Sequence, residues 1–316
     1  MQDSGTRPGT FKWSASENSI RASKGRSSFT QLTGWHKYRV LGRMLFNLEV
    51  RKLPIRYLLS LKEIFDDMKF IGLGNKTYLN SFFPPFPSKA FEQAVAFAGS
   101  QLRSDRRLYL GDFNITGRCR YRCRHCYRKG RWGEDLPLEV ILKGIRELQD
   151  LGACVLGITG GEPLLRSDLE MILSAIDNRS STILYSSGDG LTRQRASQLT
   201  DCGLNSAIIS IDHYDPNKHD QQRRYQGAFQ IAVDAVDIFA SLGVYTAVTI
   251  IPSGEMTEEE NLYRYLECAQ QWGAHEVRIG IPLPSGKLLK TLHKGKVRLS
   301  RAGINRIKKI QRAANS

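Results

Sequence analysis

From residue 108 onward the chain repeats one pattern six times: a short apolar, β-branched run followed by a stretch with helical spacing of apolar residues. The runs "LYLGDFNIT", "CVLGIT", "STILYSS", "SAIISID", "YTAVTII" and "HEVRIGI" alternate with "LEVILKGIRELQDLG", "SDLEMILSAIDN", "TRQRASQLTDCG", "AFQIAVDAVDIFASLG", "TEEENLYRYLECAQQWG" and "SRAGINRIKKIQRAA". Strands that alternate with helices build a parallel sheet, because each helix carries the chain back across the sheet in a right-handed crossover. Gly152, Gly203, Gly243 and Gly273 stand just past helices, where a left-handed cap is needed. Six units are too few to close an eight-fold barrel, and no dinucleotide-type glycine fingerprint follows the first strand. The expected fold class is therefore α/β: an open, partial (βα)6 barrel, TIM-like, over residues 105–316.

Upstream the rhythm differs. Residues 1–30 are rich in Ser, Gly and charge and are expected to be a disordered basic tail. Residues 31–104 are expected to form an N-terminal helical extension. In it, "HKYRVLGRMLFNLEVRKLPIRYLLSLKEIFDDMKF" predicts two basic amphipathic helices interrupted by Pro54, and "SFFPPFPSKAFEQAVAFAGSQL" a Pro-rich connector followed by a helix from Ser88 to about Leu102. Such helices could lie on a membrane or grip RNA, but docking on the neighbouring domain is the commoner use of the pattern.

The 316 residues carry a formal net charge of +15, concentrated at the ends. Residues 287–316 hold ten Lys or Arg and no acid, so an anionic partner and a merely solvated helical face are both open readings. Three of the six cysteines are bunched, and Cys154, Cys202 and Cys268 sit in apolar segments. That usage does not resemble a secreted disulfide framework and fits a reducing compartment. With no apolar leader and no transmembrane segment in the sequence, the chain is expected to be cytoplasmic.

The bunched cysteines, Cys119, Cys123 and Cys126 in "GRCRYRCRHCYRKG", fall on the loop after the first strand, at the carboxyl end of the sheet where α/β proteins bind ligands. A structural zinc site would claim a fourth protein ligand, and only His125, wedged between two of the thiols, is near in sequence. Three thiolates holding a four-iron cluster leave one iron open to another ligand. The arginines at 118, 120, 122, 124 and 128 would favour anionic thiolates.

The spacing C-x3-C-x2-C, followed by "TGGEP" (159–163) directly after the second strand, resembles the radical SAM superfamily. The resemblance implies a 4Fe-4S cluster on Cys119, Cys123 and Cys126. It also implies S-adenosylmethionine held by the backbone around Gly160 and Gly161 and by Glu162 and Pro163, with Glu162 on the methionine amino group. "SIDHYDPNKHDQQRRYQGAF" is similar to the family's fourth-strand stretch. There Ser210 contacts the methionyl or ribose part and Asp212 lines the site, with His219, Asp220, Arg223 or Arg224, and Gly227 following; without the resemblance, Asp212 reads equally as a loop cap. Ser187, Gly188 and "VRIGIPLPSG" (277–286) resemble further cosubstrate elements. The implied activity is that of an oxidoreductase-like radical SAM enzyme. One electron cleaves S-adenosylmethionine to a 5'-deoxyadenosyl radical, which takes hydrogen from a substrate, and the electron comes from a donor such as flavodoxin or ferredoxin. The substrate is expected to be a peptide or a natural-product or cofactor precursor; an RNA-modifying enzyme and a non-catalytic iron–sulfur sensor are the alternatives. Tyr127, His213, Tyr214, Trp132 and Glu134 are the side chains near the expected site that could touch substrate.

Overall fold

The computed structural model describes residues 29–66, 68–102, 105–128, 135–252, 254–280 and 301–315. The strands of the repeating region are β4 (Leu110–Asn114), β5 (Val155–Thr159), β6 (Ser181–Ser186), β7 (Ser206–Ser210), β8 (Tyr245–Ile250) and β9 (Glu276–Ile279). They form one six-stranded sheet in sequence order, every neighbouring pair parallel. Between them run α5 (Leu138–Asp150), α6 (Leu169–Ser174), α7 (Arg193–Asp201), α8 (Pro216–Arg223), α9 (Ala228–Ser241) and α10 (Glu259–Gln271), and α11 (Arg301–Asn315) follows β9. The sheet is an open partial barrel, with no closure between β4 and β9.

Side chains alternate across a strand, and here the two faces have different fates. Leu156, Ile158, Leu184, Ile209 and Val248 pack against Ile141, Ile145, Leu199, Phe239 and Tyr265 of the helices in the main core. Val155, Ile183, Ile208 and Ala247 point to the other, inner face, where their partners are Ala94, Phe82, Tyr109 and Leu110. The repeated apolar runs are thus explained, because the central strands β5–β8 are covered on both sides along most of their length.

The inner cover comes from the extension. Its helices α1 (Gly34–Leu45), α2 (Leu48–Arg51), α3 (Ile55–Asp66) and α4 (Lys89–Gln101) accompany a three-stranded antiparallel sheet of β1 (Phe29–Leu32), β2 (Phe70–Leu73) and β3 (Lys76–Tyr78). The sheet was not expected; residues 31–104 are a mixed unit rather than a purely helical one. Pro54 separates α2 from α3, and Ser88 caps α4 by accepting from the Phe91 N–H. Val40, Met44, Phe70, Phe86 and Phe91 form the unit's own core. Ile71, Leu73 and Tyr78 pack on Tyr245, at the amino end of β8, with the Tyr78 and Tyr245 rings stacked at 4.7 Å. Ser81 N–H donates to Glu276 at 2.7 Å, and Tyr109 Oη donates to the Phe82 carbonyl at 2.9 Å. The extension therefore docks on the barrel and plugs its amino-terminal end.

Cys154 is buried and lies on the Tyr109 carbonyl, whereas Cys202 and Cys268 are only half-buried. No helix among the described residues is long and apolar enough to cross a membrane. Residues 1–28 of the expected basic tail, Trp132, Glu134 and residues 281–300, with the end of the "VRIGIPLPSG" stretch, lie outside the described residues, whereas Phe29 and Thr30, expected in the tail, open β1 because they pair with Leu73 and Gly72.

Candidate active site at the carboxyl ends of the strands

The loop after β4 is fastened at several points. Ile115 N–H donates to the Thr159 carbonyl, prolonging the β4–β5 pairing by one residue. Beyond it, the backbone of the "TGGEP" turn runs directly against the loop: Gly161 N–H donates to the Thr116 carbonyl and Glu162 N–H to the Arg118 carbonyl, both at 2.8 Å. A Cβ on Gly161 would lie 2.1 Å from the Arg118 carbonyl oxygen, and one on Gly160 2.8 Å from that of Thr116. The two glycines permit this main-chain approach, so in the protein itself their neighbour is the cysteine loop.

The arginines of the loop serve chiefly as tethers. Arg120 makes a bidentate contact with the buried Asp189 at 2.7 and 2.5 Å, tying the loop to the turn after β6. Arg118 reaches Asp135 at 2.6 Å, and Arg128 holds Asn114 and the Thr116 carbonyl. Arg122 and Arg124 use their backbone N–H groups, which donate to the carbonyls of Arg223 and Gln222 at the end of α8. A cation from outside the loop reaches a thiol: Arg223, from α8, places its Nη1 3.7 Å from Cys123 Sγ. Arg224 ends the same helix with φ 53° and is exposed.

Cys119, Cys123 and Cys126 are all partly accessible, and none is in a disulfide. Burial pushes the Cys119 thiol up to about 11, with a backbone bond at Tyr121 opposing and Glu162 and the other two thiols adding to the rise. Burial also raises Cys123, with Arg223 opposing. Among the described residues no three His, Cys, Asp or Glu side chains converge as ligands of a single metal ion. Three soft thiols spread along one loop, with a guanidinium beside one of them, are residues that could hold an iron–sulfur cluster, a group wider than an ion.

Arg223 also contacts Asp212, Nε to Oδ2 at 2.7 Å though off the hydrogen-bond line. His125 approaches the same oxygen at 3.6 Å. Burial alone would raise the pKa of Asp212, but the Arg223 charge above all outweighs it and holds the carboxyl below its usual range. His219 Nδ1 accepts from the Asp212 N–H, and burial drives its pKa down to about 4, so the ring is neutral. Asp212 thus lies 2% exposed beneath the cysteine loop, as an ion-pair partner and not as an open wall of the site. Asp220 holds the N–H groups of Gly227 and Phe229 at the start of α9.

Glu162 is entirely buried. Its Oε1 accepts from Leu164 N–H and Ser186 Oγ, and its Oε2 from Ser187 N–H and Ser187 Oγ. Burial raises its pKa, and these bonds oppose the rise. A carboxylate offers about four acceptor positions, and all are filled here. Pro163 opens the short 3-10 turn that follows, in the first-turn position where a missing N–H costs nothing.

Inside the barrel, above the plug, the inner-facing side chains turn polar and accessible. Asp112, Asn114, Thr159, Tyr185, Ser210 and Arg278 are exposed or half-buried, although the strands around them are covered. Ser210 is paired in register with Thr249, and Thr249 with Arg278. Asp112 bonds Tyr185 and lies flat over Gly157, where a Cβ would come within 2.0 Å of its Oδ1. Burial raises the Asp112 pKa, with the Tyr185 bond opposing. On the other wall, the Arg278 guanidinium lies 3.8 Å over the Phe82 ring and bonds Glu276 at 2.9 Å. Tyr127 reaches toward this chamber, its Oη 3.4 Å from Thr159 Oγ1. His213 and Tyr214 do not. His213 is buried, accepting from Asp215 N–H and facing Glu255, and Tyr214 donates to Asn261. Sequence reasoning missed Asp112, Tyr185 and Arg278, whose only signal was a polar residue in the inward register of an otherwise apolar strand.

Residues 113–266 match the model of the Radical SAM superfamily. The chain is 35% identical over 107 residues to a probable GTP 3',8-cyclase of Archaeoglobus fulgidus, covering 33% of this chain and 36% of that protein. It is 26% identical over 181 residues to the AdoMet-dependent heme synthase of Oleidesulfovibrio alaskensis, covering 55% and 46%. The chain thus spans less than half the length of these curated relatives. Among solved structures, methylornithine synthase superposes with a TM-score of 0.52 at 17% identity, over 71% of this chain and 68% of that one. Streptococcus suis SuiB bound to its precursor peptide gives 0.51 at 13% identity, over 61% and 44%.

Proposed function

Through residues 113–266 this chain belongs to the radical SAM superfamily, whose cofactors are a 4Fe-4S cluster and S-adenosylmethionine, and we propose that it is a radical SAM enzyme acting on a peptide or on a natural-product or cofactor precursor. The observation that carries the reading is the junction of three parts at one end of the sheet: the Cys119–Cys126 loop, the "TGGEP" turn bonded to its backbone, and a polar chamber below them. When bound to the three thiolates, the cluster would supply the electron that cleaves S-adenosylmethionine, delivered by a flavodoxin- or ferredoxin-like donor.

The remaining steps belong to the protein. Backbone groups at Gly160 and Gly161 would take the amino end of the cosubstrate. Glu162 would act indirectly, fixing Ser186 and Ser187 under it, since its own acceptors are filled. Ser210, half-buried at the end of β7, would contact the cosubstrate from the opposite side. Arg223 and Asp212 would keep the cluster loop seated. Asp112 would receive a hydrogen-bond-donating or cationic group of the substrate, held in place by Tyr185 and Gly157. The plug of Phe82, Tyr109 and Arg278 would close the chamber floor and exclude water from the reacting centre.

The test is anaerobic. The protein is reconstituted with iron and sulfide, reduced with dithionite and given S-adenosylmethionine, and 5'-deoxyadenosine is quantified beside Cys126→Ala and Asp112→Asn. Formation that is lost in Cys126→Ala and kept within about twofold in Asp112→Asn is expected. If Asp112→Asn abolishes this substrate-independent cleavage, Asp112 belongs to the cofactor site. Bound iron with no cleavage would favour the sensor reading.

A further inference from the structure

Helices α1–α3 turn some apolar side chains to the core, Val40 and Met44 of α1 and Val50 of α2 buried and Tyr57, Leu58 and Phe65 of α3 partly so, and leave others exposed. In α1, Val40 and Met44 face the core, whereas Trp35, Tyr38 and Leu45, at i, i+3 and i+10, share the outward face. The pattern continues through Phe46 and Leu48 to Ile55 and Leu59. Trp35, Phe46, Leu48 and Ile55 are 76%, 78%, 73% and 72% exposed. Seven of the fourteen large apolar side chains exposed among the described residues fall between Trp35 and Leu59. Isolated exposed apolar residues are ordinary, but a concentration of this kind marks an interaction surface.

The same segment is basic. Between Trp35 and Leu59 stand six Lys or Arg and one acid, Glu49, which Lys52 already neutralises at 2.5 Å. Arg39 and Arg43 flank the outward stripe of α1, and Arg51 and Arg56 are exposed beside Leu48 and Ile55.

We propose that α1–α3 form a docking surface for an anionic lipid bilayer, lying in the interfacial plane with Trp35, Phe46, Leu48 and Ile55 at the acyl boundary and the arginines on headgroup phosphates. Aromatic and aliphatic anchors rimmed by Lys and Arg are the composition that such surfaces require. The other occupants fit less well. A nucleic acid offers bases to Trp35 and Phe46 but nothing apolar to Leu45, Leu48, Ile55 and Leu59. A second copy would set one cationic surface against its equal, which like-charge repulsion opposes. Residues 1–28 carry five Lys or Arg against two acids, and so have the same sign of charge. Because the extension packs on the amino ends of the strands, docking would leave the cysteine loop, at their carboxyl ends, facing away from the bilayer.

The full chain is sedimented with vesicles of phosphatidylcholine alone or with about one lipid in three replaced by phosphatidylglycerol. Binding is expected to rise at least ~10-fold on the anionic vesicles and to fall with added salt, since exposed charges are screened. Trp emission is expected to be quenched by brominated lipid. The triple variant Trp35→Ser, Phe46→Ser, Leu48→Ser is expected to lose both signals with an unchanged melting curve, because the three side chains are exposed. Cys126→Ala is expected to bind as the parent does, which separates this surface from the proposed chemistry. No binding to anionic vesicles, equal binding to both kinds, or a triple variant that still binds would overturn the proposal. So would its conversion from dimer to monomer, or its loss of co-purifying RNA, without any lipid effect.

Discussion

Replacing Gly161 by Ala tests whether the "TGGEP" turn and the cysteine loop are one unit. The added Cβ would sit 2.1 Å from the Arg118 carbonyl oxygen and 2.9 Å from that of Gly117. Reaching even a 3.0 Å contact requires the two main chains to part by about 0.9 Å. Both neighbours are backbone, so no side chain can rotate away. The separation would stretch Gly161 N–H to Thr116 and Glu162 N–H to Arg118, both 2.8 Å now. Each such bond contributes about 1 kcal/mol net, and overpacking adds ~1–3, so a loss of about 3–5 kcal/mol is expected. The measurement is urea unfolding of the unreconstituted chain, paired with iron content after reconstitution. Gly42→Ala is the control: it lies within α1, nothing stands within 4 Å of its Cβ, and it should gain ~0.5–1 kcal/mol from helix propensity. A Gly161→Ala protein that unfolds at the parental midpoint and keeps its iron would refute the reasoning.

Glu162→Gln keeps the shape but turns one oxygen into a donor; the serine hydroxyls can rotate, the Leu164 or Ser187 N–H cannot, and a loss of ~1–3 kcal/mol in urea unfolding is expected. Arg223→Met leaves Asp212 buried without its main counter-charge and should cost ~3 kcal/mol, while adding Asp212→Asn should recover part of it; a double-mutant cycle with no coupling would count against the ion pair. His275, between the Phe29 and Tyr245 rings, accepts from Thr246 N–H and has its pKa lowered by burial from 6.5 to about 4. A histidine depressed in the folded state is neutral there while the unfolded chain takes a proton, so its stabilisation is complete above pH 6.5 and declines as pH falls toward 4, by up to ~3 kcal/mol. Urea midpoints measured down that range should flatten in His275→Gln, and an unchanged slope would exclude the residue.

The strands and helices from residue 108 on were legible because the central strands are covered on both faces along most of their length and therefore read as nearly unbroken apolar runs. The cysteine loop was legible because its three thiols lie within eight residues of sequence. The small sheet was not, since β2 and β3 are four and three residues long and β1 pairs across a gap from Phe29 to Leu73. Short strands have too few residues to show a period, and non-local pairing leaves no local trace. The same limit governs the site. Sequence shows that Arg120 and Arg223 are charged, but their roles depend on Asp189 and Cys123, 69 and 100 positions away. Glu162 shows the converse: its N–H bonds the cysteine loop at the Arg118 carbonyl, yet its carboxylate is held by Ser186 and Ser187, which only the β5–β6 pairing brings to it. A motif therefore fixes which residues meet at such a site, and the long-range partners decide which of them retain a free valence for a ligand. By that criterion the inner wall is distinct from the motifs: at Asp112 the carboxylate has Tyr185 as its bonded partner and no positive charge among the described residues has claimed it.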